Sequence, residues 1–276
     1  MPPNPESVTA GVAMSRRFRR VRERIARRNH VVVEALVVLS LYAAYQMSRG
    51  FANDSASPAL DHAREVVSLE ERLKLFHEGT LQDAVMRLPG MIDAFGFAYM
   101  SLHLVGTVAV LIWLYARRPD WFPLLRTALA IASAIALSIY FLYPTAPPRL
   151  AGIGIVDTVT TINDIDLRSR LLGEFYNPFA AIPSMHFGYA LLLGVAVAWL
   201  SQSRPVRLAA LAYPSFVLLV IVATGNHFIL DAAAGAAVSG VGLAAAWLVC
   251  DPKDLRAAAR HEHAGAFEVA VPSRDR

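Results

Sequence analysis

Asn177-Pro178-Phe179-Ala180-Ala181-Ile182-Pro183-Ser184-Met185-His186 opens one apolar run, and Thr224-Gly225-Asn226-His227-Phe228-Ile229-Leu230-Asp231 opens another. Proline followed by a hydroxyl residue and an apolar run predicts a helix start, whose unpaired backbone N–H groups and positive dipole end suit an anion. Ser184 and His186 are expected in that first turn. His227 and Asp231 stand four residues apart. A helix through both would put carboxylate and imidazole on one face, where the carboxylate orients a nucleophilic histidine.

Outward from these stretches the chain is mostly apolar, with 55% hydrophobic residues among 276 and a mean hydropathy of +0.42. Such a composition belongs to a membrane protein. Because a crossing takes about 20 apolar residues, helices are expected near residues 31–48, 92–116, 122–143, 184–201, 206–224 and 228–250. The expected fold is all-α, a polytopic bundle of six transmembrane helices over residues 31–250, between a basic tail at 1–30 and a charged tail at 251–276. The segment Leu60 to Leu88 is too charged to cross. Leu60, Ala63, Val66, Val67, Leu73, Phe76, Ala84, Val85 and Leu88 nevertheless give it an apolar side, which predicts an interfacial amphipathic helix with a break at Gly79. His62 and His77 on it are expected to face solvent or lipid head groups.

Charge in the connections orients the bundle. Eight arginines crowd residues 1–30, and with the amino terminus inside, 18 of the 26 Lys and Arg residues fall on the cytoplasmic side. Both termini are then cytoplasmic and both reactive stretches emerge on the extracytoplasmic face. Ser15-Arg16-Arg17-Phe18-Arg19 is superficially like a twin-arginine export signal, but further arginines precede an apolar segment long enough to stay in the bilayer, so an uncleaved anchor is expected. Glu34 interrupts the first span near its cytoplasmic end, where its carboxylate can snorkel or pair. The same asymmetry accounts for the net charge of +4 without nucleic acid as a partner. The single Cys250 leaves no disulfide framework and no cysteine metal cluster. Arginine outnumbers lysine heavily, with only Lys74 and Lys253, a compositional pointer to a bacterial cell membrane.

The connection after the third expected span reads Tyr143-Pro144-Thr145-Ala146-Pro147-Pro148-Arg149, and its prolines stiffen the path that presents Arg149, whose guanidinium fork suits a phosphate. Arg149, Ser184 with His186, and His227 with Asp231 thus reach one side of the membrane. Two histidines, a carboxylate beside one of them, an arginine and a helix N-terminus are the parts of phosphoryl transfer through a phosphohistidine: one histidine attacks phosphorus, the other protonates the leaving oxygen. This chemistry needs no metal and no cofactor. The same histidines and carboxylate are also reasonable zinc or iron ligands. A transporter is a second rival, though its charges would lie near mid-bilayer and these gather at one surface. His103 is read as a packed helix histidine, Tyr140 and Tyr143 as interface anchors, Met185 as a packing residue, and the small residues of Ala232 to Gly242 as a close helix contact.

The Pro-Ser-Met-His and His-Phe-Ile-Leu-Asp elements, preceded by Pro-Thr-Ala-Pro-Pro-Arg, resemble the three motifs of the type-2 phosphatidic acid phosphatase superfamily. Within it the wording is most similar to the inositolphosphotransferase branch, which includes the inositolphosphorylceramide synthases. The resemblance covers roughly residues 60 to 250. It implies His227 as nucleophile, Asp231 as its partner, His186 as general acid, and Arg149 and Ser184 as phosphate ligands. The substrate it implies is a phospholipid or isoprenoid phosphate within membrane lipids. Two positions depart from the family pattern: Leu142 stands where a basic residue precedes the motif arginine, and Ile221 where an arginine precedes the nucleophile. Asn226, Thr224, Tyr143 or backbone N–H groups are left to meet the phosphate charge.

Overall fold

The computed structural model describes residues 56–161 and 177–250, together with Ser40 and Ala43. The expected first span at 31–48, apart from those two residues, lies outside the described residues, as do the tails at 1–30 and 251–276. The chain divides into two compact units, Met1–Tyr45 and Gln46–Arg276. The second holds every element described below, and among the described residues it contains helices and no strand.

In chain order these are α1 (Ala56–Leu73), α2 (Glu78–Met86), α3 (Met91–Arg117), α4 (Phe122–Leu142), α5 (Met185–Leu200), α6 (Arg204–Ala223) and α7 (Ile229–Val249), with a 3₁₀ turn at Pro148–Leu150 and a helical turn at Thr158–Thr161. Helices α3, α4, α6 and α7 are long and apolar enough to cross a membrane; α5 is apolar but has 16 residues. Large side chains such as Phe97, Leu104, Ile112, Leu208 and Leu248 point outward on these helices, as lipid-facing residues do.

Small residues set how closely the bundle closes. α7 lies against α4 at Gly242, where an added Cβ would come within 2.7 Å of the Ala128 carbonyl oxygen. It lies against α5 where Gly188 faces Gly235 and Ser239, and a Cβ on Gly235 would overlap the Ser184 carbonyl oxygen. The expectation that the small residues of α7 serve helix packing is met.

The segment before the bundle differs from expectation. The sequence predicts a single helix broken at Gly79, whereas α1 ends at Leu73 and Gly79 lies inside the first turn of α2. The break is at Lys74, in the left-handed region with φ of 59°, and Leu75 N donates back to Glu70 O at 2.8 Å, the closure that a left-handed residue permits. Nor is the inner side of this pair wholly apolar. Glu70, Glu78 and Gln82 are buried there, while Leu73 and Leu88 are exposed.

Candidate active site

Antiparallel neighbours bring the end of α4, the start of α5, the end of α6 and the start of α7 to one end of the bundle. The connections there are tied together by backbone. Thr145 N donates to Phe179 O at 2.8 Å and Ala181 N to Thr145 O at 3.2 Å, an isolated parallel bridge between the Arg149 segment and the Ser184 segment. Arg149 N donates to Gly225 O at 3.0 Å. Gly225 has φ of 70°, and a Cβ there would press on Ile155 and on Arg149 Cβ, so this turn requires glycine.

Helix α5 begins one residue later than expected. Ser184 is its N-cap, accepting from Phe187 N at 3.4 Å, rather than a member of the first turn, and the Ile182–Pro183 peptide ahead of it is cis. The Ser184 backbone N–H donates to Asp231 O at 2.8 Å, which fastens the start of α5 to the start of α7. His186 follows in the first turn.

His227 precedes α7 instead of riding on it, so the shared helix face expected for His227 and Asp231 is not how they meet. Phe228 is the N-cap, and Asp231 reaches back from the third helical position to accept from Phe228 N at 2.9 Å and to lie 3.3 Å from His227 Nδ1. A nearer partner is the Ala181 carbonyl oxygen, 2.9 Å from the same nitrogen. A carbonyl only accepts, so Nδ1 carries the proton and Nε2 carries the lone pair. His227 and Asp231 are both buried.

The second histidine is stacked in place. The His186 ring lies 4.6 Å from the Tyr99 ring at 22°, 4.7 Å from His103 and 5.5 Å from His227. His103 also stacks on Tyr189 at 4.8 Å. It is packed, as expected, and it also stands next to His186 with its Nδ1 buried and unpartnered among the described residues.

Arg149 Nε donates to Asn226 Oδ1 at 2.9 Å and Nη1 to Asp157 Oδ2 at 2.8 Å. Asn226 in turn donates to Thr224 Oγ1 at 2.8 Å. The structure thus brings together Arg149 with Asn226, His227 with Asp231, and His186 with His227, and it places the Ser184 hydroxyl at a helix cap. Asp157 escaped notice in the sequence because a lone aspartate in a Gly-containing loop carries no periodic signal.

Several residues of α1 and α2 escaped notice too. Gln82 donates to Val156 O and Ala223 O and accepts from Val156 N. Glu78 and Glu70 accept from Ile229 N and Leu230 N. A signal was available for Glu70, which continues the buried stripe of Ala59, Ala63 and Val66 at helical spacing. His62, expected at the surface, stacks on Tyr143 at 3.7 Å and bonds Pro144 O at 2.7 Å. Tyr140 and Tyr143, expected as interface anchors, donate within the protein, to Pro183 O and Glu65 Oε2 at 2.7 and 2.6 Å. Burial, with the Glu65 carboxylate beside it, pushes the Tyr143 phenol up to about 12, so it remains a donor at neutral pH.

A family model described as the PAP2 superfamily matches residues 64–245, a span that includes Arg149, Ser184, His186, Asn226, His227 and Asp231. No curated protein and no solved structure matches the chain.

Proposed function

The chain belongs to the PAP2 superfamily, and from that premise we propose a membrane-embedded phosphotransferase or phosphatase that acts on a lipid-linked phosphate at the extracytoplasmic face, with the inositolphosphotransferase branch as the best match of its motifs. The bundle of the proposal has six spans: the helices α3 to α7 and the apolar segment at 31–48. The α1–α2 pair lies at the membrane interface.

The observation that carries the chemistry is the His227 ring, whose Nδ1 is committed to Ala181 O and Asp231. In the proposed reaction His227 Nε2 attacks phosphorus, the bond from phosphorus to the leaving oxygen breaks, and His186 gives that oxygen its proton. The oxygen of an acceptor hydroxyl then attacks the phosphohistidine, the nitrogen–phosphorus bond breaks, and the acceptor's proton returns to His186. Asp231 stabilises the charge that develops on the His227 ring. Arg149, Asn226 and Ser184 are the proposed phosphate contacts.

Charge supports a diester donor over a monoester. Leu142 and Ile221 supply no cation, and Arg149 already faces Asp157. A phospholipid diester carries one negative charge where a monoester approaches two, so transfer from a phospholipid is the leading reading. With water in place of a polyol as acceptor the same machinery hydrolyses its donor, and on a monoester donor that is the phosphatase reaction.

The test is head-group or phosphate release from phospholipids and isoprenoid phosphates by purified protein, beside His227→Ala. Turnover by wild type alone supports the proposal and names the donor. Equal turnover by the variant refutes it, and hydrolysis of phosphatidic acid with no diester turnover removes the diester reading.

A further inference from the structure

The amino end of α7 is closed by three carboxyl groups from three different helices. Phe228 N donates to Asp231 Oδ2 at 2.9 Å, Ile229 N to Glu78 Oε1 at 3.0 Å and Leu230 N to Glu70 Oε1 at 2.7 Å. All three side chains are fully buried. Burying a carboxyl group is costly unless its oxygens are satisfied, and a helix N-terminus is where its charge is best tolerated. Asp231 meets His227, so Glu70 and Glu78 grip the two N–H groups just ahead of the residue that orients the imidazole.

We propose that Glu70 and Glu78 are positioning residues that reach from α1 and α2 to fix the first turn of α7 and so hold the His227–Asp231 pair in register. The inference rests on the reading of His227 given above, and neither glutamate needs to touch substrate.

A second feature gives the clamp its own signature. The Oε2 atoms of both glutamates are buried without a donor among the described residues, and the two carboxyl groups are neighbours that act on one another. Two buried carboxyl groups side by side do not both ionise, so one of them holds a proton. The ionisable groups facing Glu70 are Glu78 from α2 and Asp231 from α7. Burial first, then the Glu78 side chain, push Glu70 up to about 9, against the lowering effect of the Leu230 N–H. A carboxyl raised on folding contributes stability that is fully present below its unfolded value near 4.5 and is lost as the pH rises through about 9.

Full-length protein in detergent, as wild type, Glu70→Leu and Glu70→Gln, is followed by turnover and by thermal unfolding between about pH 6 and pH 10. Leucine leaves Leu230 N without an acceptor, and kcat is expected to fall about tenfold or more with KM within about twofold. Glutamine keeps the Oε1 acceptor and cannot ionise, so it recovers kcat to within about threefold and flattens the alkaline fall in unfolding temperature. A folded leucine variant with wild-type kcat, or an alkaline fall that persists in the glutamine variant, overturns the proposal. If wild type turns over no lipid, the functional reading fails by itself. The unfolding temperatures still decide the clamp: a fall for Glu70→Leu that Glu70→Gln restores upholds it, and equal temperatures for all three proteins remove it.

Discussion

Arg149 Nη1 and Asp157 Oδ2 lie 2.8 Å apart in a largely buried ion pair, so the arginine proposed to meet phosphate already faces a carboxylate eight residues along the chain. An anionic substrate approaching Arg149 meets that carboxylate as a competitor. Asp157→Asn keeps a side-chain oxygen for Thr160 N, which Asp157 Oδ1 now accepts at 3.1 Å, and removes the charge. KM for an anionic lipid is expected to fall by about 3- to 10-fold with a smaller change in kcat. A rise in KM would mean that Asp157 aims Arg149 at the phosphate instead.

His227→Ala is expected to abolish turnover and the acid-labile phosphoenzyme trapped by rapid quenching with labelled lipid. Asp231→Asn keeps an oxygen for Phe228 N but removes the charge behind the imidazole, and kcat should fall on the order of 10²- to 10⁴-fold. A phosphoenzyme formed by His227→Ala would move the nucleophile elsewhere.

The 4.7 Å contact between His103 and His186 makes a third histidine testable. His103→Phe preserves a ring between His186 and Tyr189 while removing its nitrogens. A loss in kcat of about tenfold, with a displaced pH profile, is expected if His103 tunes the neighbouring acid. An unchanged profile would return it to packing.

Gly235→Ala drives a methyl group into the Ser184 carbonyl oxygen at the crossing of α5 and α7. Separating the two helices should cost about 1–3 kcal/mol in unfolding experiments. Activity should fall further than stability, because Ser184 N and Asp231 O bridge the same crossing. Wild-type stability and turnover would show that the crossing relaxes without disturbing the site.

Among the described residues no group of three His, Cys, Asp or Glu side chains is arranged to hold a metal ion, and Asp231 Oδ2 already accepts from Phe228 N. Excess chelator is therefore expected to leave turnover within about twofold. Loss that added metal restores would replace the phosphohistidine reading with a metal-assisted one.

Apolar runs made α3, α4, α6 and α7 legible to within a few residues, since few structures other than a membrane span need continuous hydrophobicity over a bilayer's thickness. Motif order likewise assigned Arg149, His186, His227 and Asp231 to one end of the bundle. What could not be read is how distant segments meet. The Ala181 carbonyl that fixes the His227 tautomer is a backbone atom 46 residues away and leaves no trace in side-chain identity. Glu70 and Glu78 look like the solvated charges of any amphipathic helix until the N–H groups of Ile229 and Leu230 are set against them.

The long sequence separation of that last contact has a consequence for the order of assembly. Glu70 lies 160 residues before Leu230, and Glu78 lies 151 before Ile229. During synthesis the two glutamates leave the ribosome long before the N–H groups they accept, so α1 and α2 wait with their polar side unsatisfied while the intervening helices insert. Docking of α7 therefore satisfies both glutamates and brings His227, with Asp231 beside it, to the Ala181 carbonyl. A chain stopped short of α7 would leave Glu70 and Glu78 without the two N–H groups they accept from.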